Sequence, residues 1–203
     1  FPDALHPTKE GATILAQTVY SNITQDFGGL KLSPVFTDNM VLQRSQPILI
    51  YGTANGGEKI EITFNNKKEI ATTNEFGKWK AIFPAMKSGG THQIIIASKE
   101  KNIILKNILI GDVWFCSGQS NMAFPLQKSE NGIDEVKKAI KNTNLRLFNF
   151  EAIAETDEKA WDSITLEKTN QLKFFSGKWK ISDSISAKDF SAIAYYFGQN
   201  IAR

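Results

Sequence analysis

The chain has little cysteine and little histidine. A single cysteine, Cys116, excludes an internal disulfide. It says little about compartment, because a secreted protein need not use disulfides. Long apolar runs are also missing. None approaches the ~20 residues that a membrane-spanning helix needs, so membrane insertion is not expected. Positive charge is not concentrated. The net charge of +3 is dispersed, and the short runs NNKKE and SKEKN fall between strand-like segments and read as solvated turns. With no basic stripe and no aromatic-basic interleaving, nucleic acid is not an expected partner. The first residue is Phe1 rather than Met, so the lack of a signal peptide carries no weight.

What is present suffices for a packed interior. Apolar residues make up 41% of the 203 and aromatics 11%, too many for a disordered chain and enough for one large domain or two small ones. Three patterns follow one another. After the opening FPDALHPTKEG, residues to about 26 read as a helix. Thr8 is its expected N-cap, and Ala12, Leu15, Ala16, Val19 and Ile23 form one apolar stripe. The glycines of QDFGG are expected to end it.

From residue 30 to about 107 the period becomes that of a strand. KIEITF sets Ile60, Ile62 and Phe64 on one face, and KWKAIF does the same with Trp79, Ala81 and Phe83. These aromatics read as core rather than as a sugar platform. Turn signals such as ANGGE, FNNKK, NEFGK and KSGGT separate the short strands. A small antiparallel β-sandwich is the expected fold. From residue 108 the pattern changes again. ILIGDVWFC is a continuous apolar run, expected to be a strand buried on both faces, with Cys116 a buried, inert thiol. GIDEVKKAIKN would put Ile133, Val136 and Ile140 on one helical face, and LRLFNF would be the next strand. This is the start of a βαβ unit and hence of a parallel sheet. Trp161 and Trp179 are the expected anchors of an irregular stretch. A closing helix has Phe190, Ala194, Phe197 and Ile201 as its stripe and Asp189 as its cap. Two strands and two helices cannot cover both faces of such a sheet, so this α/β unit looks cut off at residue 203.

The run GDVWFCSGQSNM, residues 111–122, stops abruptly at small hydroxyl and amide residues. In open α/β sheets, ligands bind at loops beyond the C-terminal ends of strands. A serine there can present its hydroxyl to a cleft while its own backbone N–H helps hold an oxyanion. GQSNM is not the G-x-S-x-G elbow, so residue types alone leave both a structural turn and a nucleophile open. Gln119 and Asn121 could bond a substrate or close the turn. Asp112 could anchor the loop. A serine nucleophile needs a base, usually a histidine oriented by a carboxylate. His92, in GGTHQIIIAS, reads as a surface or edge residue. His6 lies in DALHP, where Asp3 stands three residues before it and can orient its ring.

FTDNMVLQR (residues 36–44), GKWKAIFPA (77–85), GDVWFCSGQSNM and DFSAIAYYFG (189–198) resemble, in order and approximate spacing, the landmarks of the sialate O-acetylesterase family of the SGNH hydrolase superfamily. The resemblance covers about residues 30–203. It implies a carbohydrate esterase that removes O-acetyl groups from sialic acids or related sugars. Ser120 would be the nucleophile and its N–H part of the oxyanion hole. No metal or organic cofactor is needed for that chemistry. PDALHPTKEGATILAQ is similar to the last motif of an SGNH hydrolase, whose Asp-x-x-His-Pro completes a triad. In the family that motif follows the nucleophile, whereas Asp3 and His6 come far before Ser120.

The expectation is therefore a segment of a longer tandem protein. Residues 1–29 would finish an upstream SGNH domain, 30–107 would be the sandwich, and 108–203 would begin an esterase domain. A circular permutation, in which His6 and Asp3 serve Ser120, is the sharper alternative. A non-catalytic glycan-binding module, or an esterase for another acetylated polysaccharide such as xylan, are the rival functions. A periplasmic or extracellular location follows from the resemblance alone.

Overall fold

A computed structural model describes residues 7–153, 162–170 and 175–202. Helix α1 spans Lys9–Thr24 and starts where the cap was expected. The Thr8 hydroxyl accepts the Gly11 N–H at 3.1 Å, satisfying one of the donors a helix leaves open at its first turn. The helix ends on Gln25, in the left-handed region at φ 59°, three residues before the first of the glycines assigned to that job. Its apolar stripe is not covered among the described residues: Leu15, Val19, Tyr20 and Ile23 are all exposed.

Eight strands follow: β1 (Lys31–Leu32), β2 (Val41–Gln43), β3 (Ile48–Thr53), β4 (Lys59–Phe64), β5 (Lys67–Thr72), β6 (Lys78–Phe83), β7 (Gly89–Ala97) and β8 (Asn102–Gly111). They form a three-stranded sheet in the order β1-β3-β6 and a five-stranded sheet in the order β2-β8-β7-β4-β5. Neighbours are antiparallel except β2 and β8, which run parallel. Both sheets feed one core. Alternation in β4 buries Ile60, Ile62 and Phe64, and alternation in β6 buries Trp79, Ala81 and Phe83. Ile48, Ile50, Ile94, Ile96, Ile108 and Ile110 complete the interior. Phe64 meets Phe83 edge to face at 5.5 Å, a favoured aromatic geometry that joins the two sheets.

Local chemistry sets the hairpins. Asn65 and Asn66 both have positive φ, 49° and 59°, the conformation of the two-residue turn whose twist matches its strands. At the β5–β6 turn Gly77 has φ 68°, and a Cβ there would stand 2.4 Å from the Phe27 ring. Glycine is needed at that position on both counts.

Beyond Gly111 the chain departs from expectation. Residues 112–118 form no strand, and Val113, Trp114 and Phe115 are exposed, Phe115 to 86%. Cys116 is exposed as well, not buried. A short 3-10 turn (Leu126–Lys128), α2 (Gly132–Lys138) and a second 3-10 turn (Ala139–Lys141) lead to β9 (Arg146–Phe148) and β10 (Glu151–Ala152). Next come α3 (Ser163–Asn170), β11 (Phe175–Ser176), β12 (Trp179–Ile181), α4 (Ser184–Ala187) and α5 (Ala192–Ile201). β9 pairs antiparallel with β12, and β10 with β11. Among the described residues no parallel pairing joins β9 to the 112–118 segment.

A second, smaller core holds Leu126, Ala139, Leu147, Ala187, Ala192 and Tyr195. It corrects two helix faces. In α2 and the turn after it, Gly132 and Ala139 point inward with Val136 partly buried, while Ile133 and Ile140 are exposed. In α5 the buried face is Ala192, Ala194 and Tyr195, whereas Phe197 and Ile201 are exposed. The α5 cap is Ser191, whose Oγ accepts the Ala194 N–H, rather than Asp189. Trp179 does anchor its region: its indole N–H donates to the Val35 carbonyl at 3.0 Å. Trp161 lies outside the described residues.

Candidate functional site

The strand that leads to the serine turn is held by a distant stretch of sequence. Residues 38–44 run along 106–113 by backbone and side-chain bonds. Asp38 Oδ1 accepts the Lys106 N–H, Asn39 N–H donates to the Lys106 carbonyl, and Asn107 Nδ2 donates to Asn39 Oδ1. The parallel pairing of Val41 to Gln43 with Leu109 to Gly111 continues the contact. Where β8 ends, Arg44 N–H donates to the Gly111 carbonyl at 2.8 Å. Arg44 Nε donates to Asp112 Oδ1 at 2.8 Å, and Gln43 Oε1 accepts the Val113 N–H at 2.9 Å. Asp112 thus anchors the loop. The Arg44 guanidinium beside it, first by hydrogen bond, lowers its carboxyl pKa. The stretches NMVLQR and GDVWF, far apart in sequence, are two sides of one contact.

Ser120 sits in a compact turn. Ala123 N–H donates to the Gln119 carbonyl at 3.0 Å and Phe124 N–H to the Asn121 carbonyl at 3.4 Å. Gly118 lies close against this turn, since a Cβ there would stand 2.9 Å from that of Met122. Gln119, Ser120 and Asn121 are all exposed. The turn is fastened on its far side by α5 and the residues before it. Ala192 N–H donates to the Phe124 carbonyl and Leu126 N–H to the Phe190 carbonyl, both at 2.8 Å. Gln127 Nε2 donates to Asp189 Oδ1 at 2.6 Å, and Ser191 Oγ approaches Met122 Sδ at 3.2 Å. Gly132 lets α2 close onto this region: a Cβ there would fall 1.9 Å from the Leu126 carbonyl oxygen. The DFSAIAYYF stretch is therefore a structural partner of the serine turn. The sequence reading missed this, and the only signal for it was that the two motifs recur together in the resemblance.

The candidate partners are not brought to Ser120 within the described region. His92 lies in β7, a central strand, half-buried and edge-on to Phe64 at 5.7 Å. No described carboxylate bonds it, and it is not the edge-strand residue expected. Asp3 and His6 fall outside the described residues. Among the described residues nothing bonds the Ser120 hydroxyl, and no group of His, Cys, Asp and Glu is arranged to hold a metal. Two shallow recesses lie elsewhere, one at Lys59, Glu61 and Ile70, the other at Asp26, Asn55 and Glu58. The arrangement provides an exposed hydroxyl on a turn fastened from the α5 side, reached by a segment whose first two residues, Asp112 and Val113, are held by Gln43 and Arg44.

No family model matches the chain. Among solved structures, it resembles a carbohydrate acetylesterase from Xanthomonas citri, with a TM-score of 0.71 and 26% identity over 84% of this chain and 37% of that one. Among curated proteins, it is similar to the sialate O-acetylesterases of Mus musculus (24% identical over 141 residues) and Homo sapiens (25% over 141 residues). Each of these alignments takes in 64% of this chain. The chain spans about a quarter of the length of these relatives, 26% of the mouse protein and 27% of the human one. The resemblance to the sialate O-acetylesterase family read from the motifs is borne out by both comparisons.

Proposed function

We propose that this chain carries the nucleophile region of a carbohydrate esterase that removes O-acetyl groups from sialic acids or related sugars. The reaction is acyl transfer. Ser120 Oγ attacks the acetyl carbonyl while a histidine takes its proton, and the turn's backbone N–H groups hold the oxyanion. The sugar hydroxyl leaves with that proton. Water then attacks the acetyl-enzyme and releases acetate. Gln119 and Asn121, flanking Ser120 on the same exposed turn, are the substrate-contacting candidates. The fold that goes with this reading is a small β-sandwich, 30–107, followed by the beginning of an SGNH-type α/β domain, 108–203, in a longer chain. Residues 1–29, with Asp3 and His6, would close a preceding hydrolase domain. A periplasmic or extracellular location suits a substrate of this kind.

One observation carries the reading. Ser120 is exposed on a turn fastened by the DFSAIAYYF stretch, and the chain enters the segment before that turn through bonds from NMVLQR, the other motif that accompanies it in the resemblance. The test is release of p-nitrophenol from p-nitrophenyl acetate by this chain and by the product of its full open reading frame, each with Ser120→Ala and His6→Ala, singly and together. Turnover by the full product that survives His6→Ala and is lost when Ser120→Ala is added supports a tandem protein whose Ser120 takes its base from outside this segment. Loss in both single variants of the 203-residue chain supports the permuted site. Equal, non-zero turnover by His6→Ala and by the double variant with Ser120→Ala refutes the nucleophile. That no described group bonds the Ser120 hydroxyl also favours a second reading for this chain by itself, a glycan-binding module. Binding that survives Ser120→Ala with no turnover would support it.

A further inference from the structure

We propose that Gln43, Arg44 and Asp112 form a positioning clamp that sets the course of the chain from β8 to the nucleophile turn, giving the β-rich unit a part in catalysis. The inference rests on Ser120 being the nucleophile. Where β8 ends at Gly111 the chain enters a stretch with no regular structure, 112–118. Among the described residues, three bonds fix the first two residues of that stretch, and all come from the end of β2. Arg44 Nε donates to Asp112 Oδ1 at 2.8 Å, and Gln43 Oε1 accepts the Val113 N–H at 2.9 Å. Gln43 Nε2 reaches the same Asp112 oxygen at 3.5 Å. Downstream, the side-chain contact of the segment is the edge-on approach of Trp114 to Phe197 at 5.1 Å.

Stability does not account for this cluster. An ion pair whose side chains are about half exposed, as Arg44 and Asp112 are, contributes little to folding. Gln43 satisfies the N–H of an exposed residue, which water could satisfy equally well. What the three side chains supply that water cannot is direction. The β2–β8 pairing is part of the five-stranded sheet, with β2 at its edge and β8 inside it. Side chains at its end therefore transmit the sheet's orientation to Asp112 and Val113. A displacement of about 1 Å at a nucleophile can cost on the order of a hundredfold in rate, so a small change of course at Val113 is enough to matter.

The experiment uses the product of the full open reading frame carrying His6→Ala, which silences the preceding domain, as the parent for all variants, with p-nitrophenyl acetate as probe. The variants are Gln43→Ala, Asp112→Ala and the exchanged pair Arg44→Asp/Asp112→Arg. Ser120→Ala is the nucleophile control, and Lys68→Ala, which breaks an exposed ion pair to Glu61 elsewhere on the sheet, is the surface control. We expect Gln43→Ala and Asp112→Ala to lower kcat about tenfold or more with KM within about twofold. Melting temperature should stay within a few degrees of the parent. Amide exchange at Val113 should quicken, and the exchanged pair should regain rate over Asp112→Ala. The parent's kcat in Gln43→Ala and Asp112→Ala, with Ser120→Ala inactive, would overturn the clamp and leave the nucleophile standing. A fall in kcat matched by the loss of folded protein would also overturn it. The parent's turnover in Ser120→Ala would remove the nucleophile, and the clamp with it.

Discussion

Trp179 ties the smaller core to the larger one, and truncating it should loosen one without the other. Its backbone belongs to β12, paired with β9 and so with buried Leu147 of the smaller core. Its side chain packs against the larger core, and its indole N–H donates to the Val35 carbonyl at 3.0 Å. The ring also lies 5.4 Å from that of Phe148. Trp179→Ala forfeits the hydrogen bond, worth about 1 kcal/mol net, and the aromatic pair, worth about 0.5–1.5 kcal/mol. It also loses part of the 3–5 kcal/mol that a fully buried aromatic costs on truncation; only part, because Trp179 is half-buried. The sum is about 3 kcal/mol, which is roughly a hundredfold in a local opening equilibrium. Hydrogen exchange read peptide by peptide is the assay. Amides of β9, β12 and α5 should exchange roughly a hundredfold faster, while those of β4 and β7 keep their wild-type rates. Trp179→Phe, which keeps a ring but drops the N–H, should give about a third of the effect in free energy. Equal acceleration in β4 and β7 would refute the reasoning, because it would mean that the two cores open as one unit.

Two further outcomes are expected. Phe64 is 1% exposed and contacts the Phe83 and His92 rings, so Phe64→Ala should cost about 3–5 kcal/mol, measured as a shifted urea midpoint; a cost under about 1 kcal/mol would mean that the core refills the space. Asp183 caps α4, and the Ser186 backbone N–H, the largest influence on it, lowers its carboxyl pKa. A carboxyl whose pKa is lower folded than unfolded contributes its stability above the ordinary carboxylate range and loses it as pH falls through the folded value. Thermal stability should therefore drop between about pH 5 and pH 2, and Asp183→Asn should flatten that drop; an unchanged slope would rule Asp183 out as a contributor.

The sequence by itself determined what depends on neighbours along the chain. Alternation in KIEITF and KWKAIF placed Ile60, Ile62, Phe64, Trp79, Ala81 and Phe83 inside, as they are. The Thr8 cap and the tight turn around Ser120 were legible for the same reason, since caps and turns are satisfied within a few residues. Periodicity states that an apolar residue favours burial. It does not state which partner covers it. The tertiary structure alone decided that Val113 to Cys116 stand exposed, that α2 and the turn after it bury Gly132 and Ala139 rather than Ile133 and Ile140, and that β9 takes β12 as an antiparallel neighbour. It also decided that Gln43 and Arg44 grip Asp112 and Val113. Such contacts join residues some seventy positions apart, and they follow from strand order and register, which no local pattern of residues encodes.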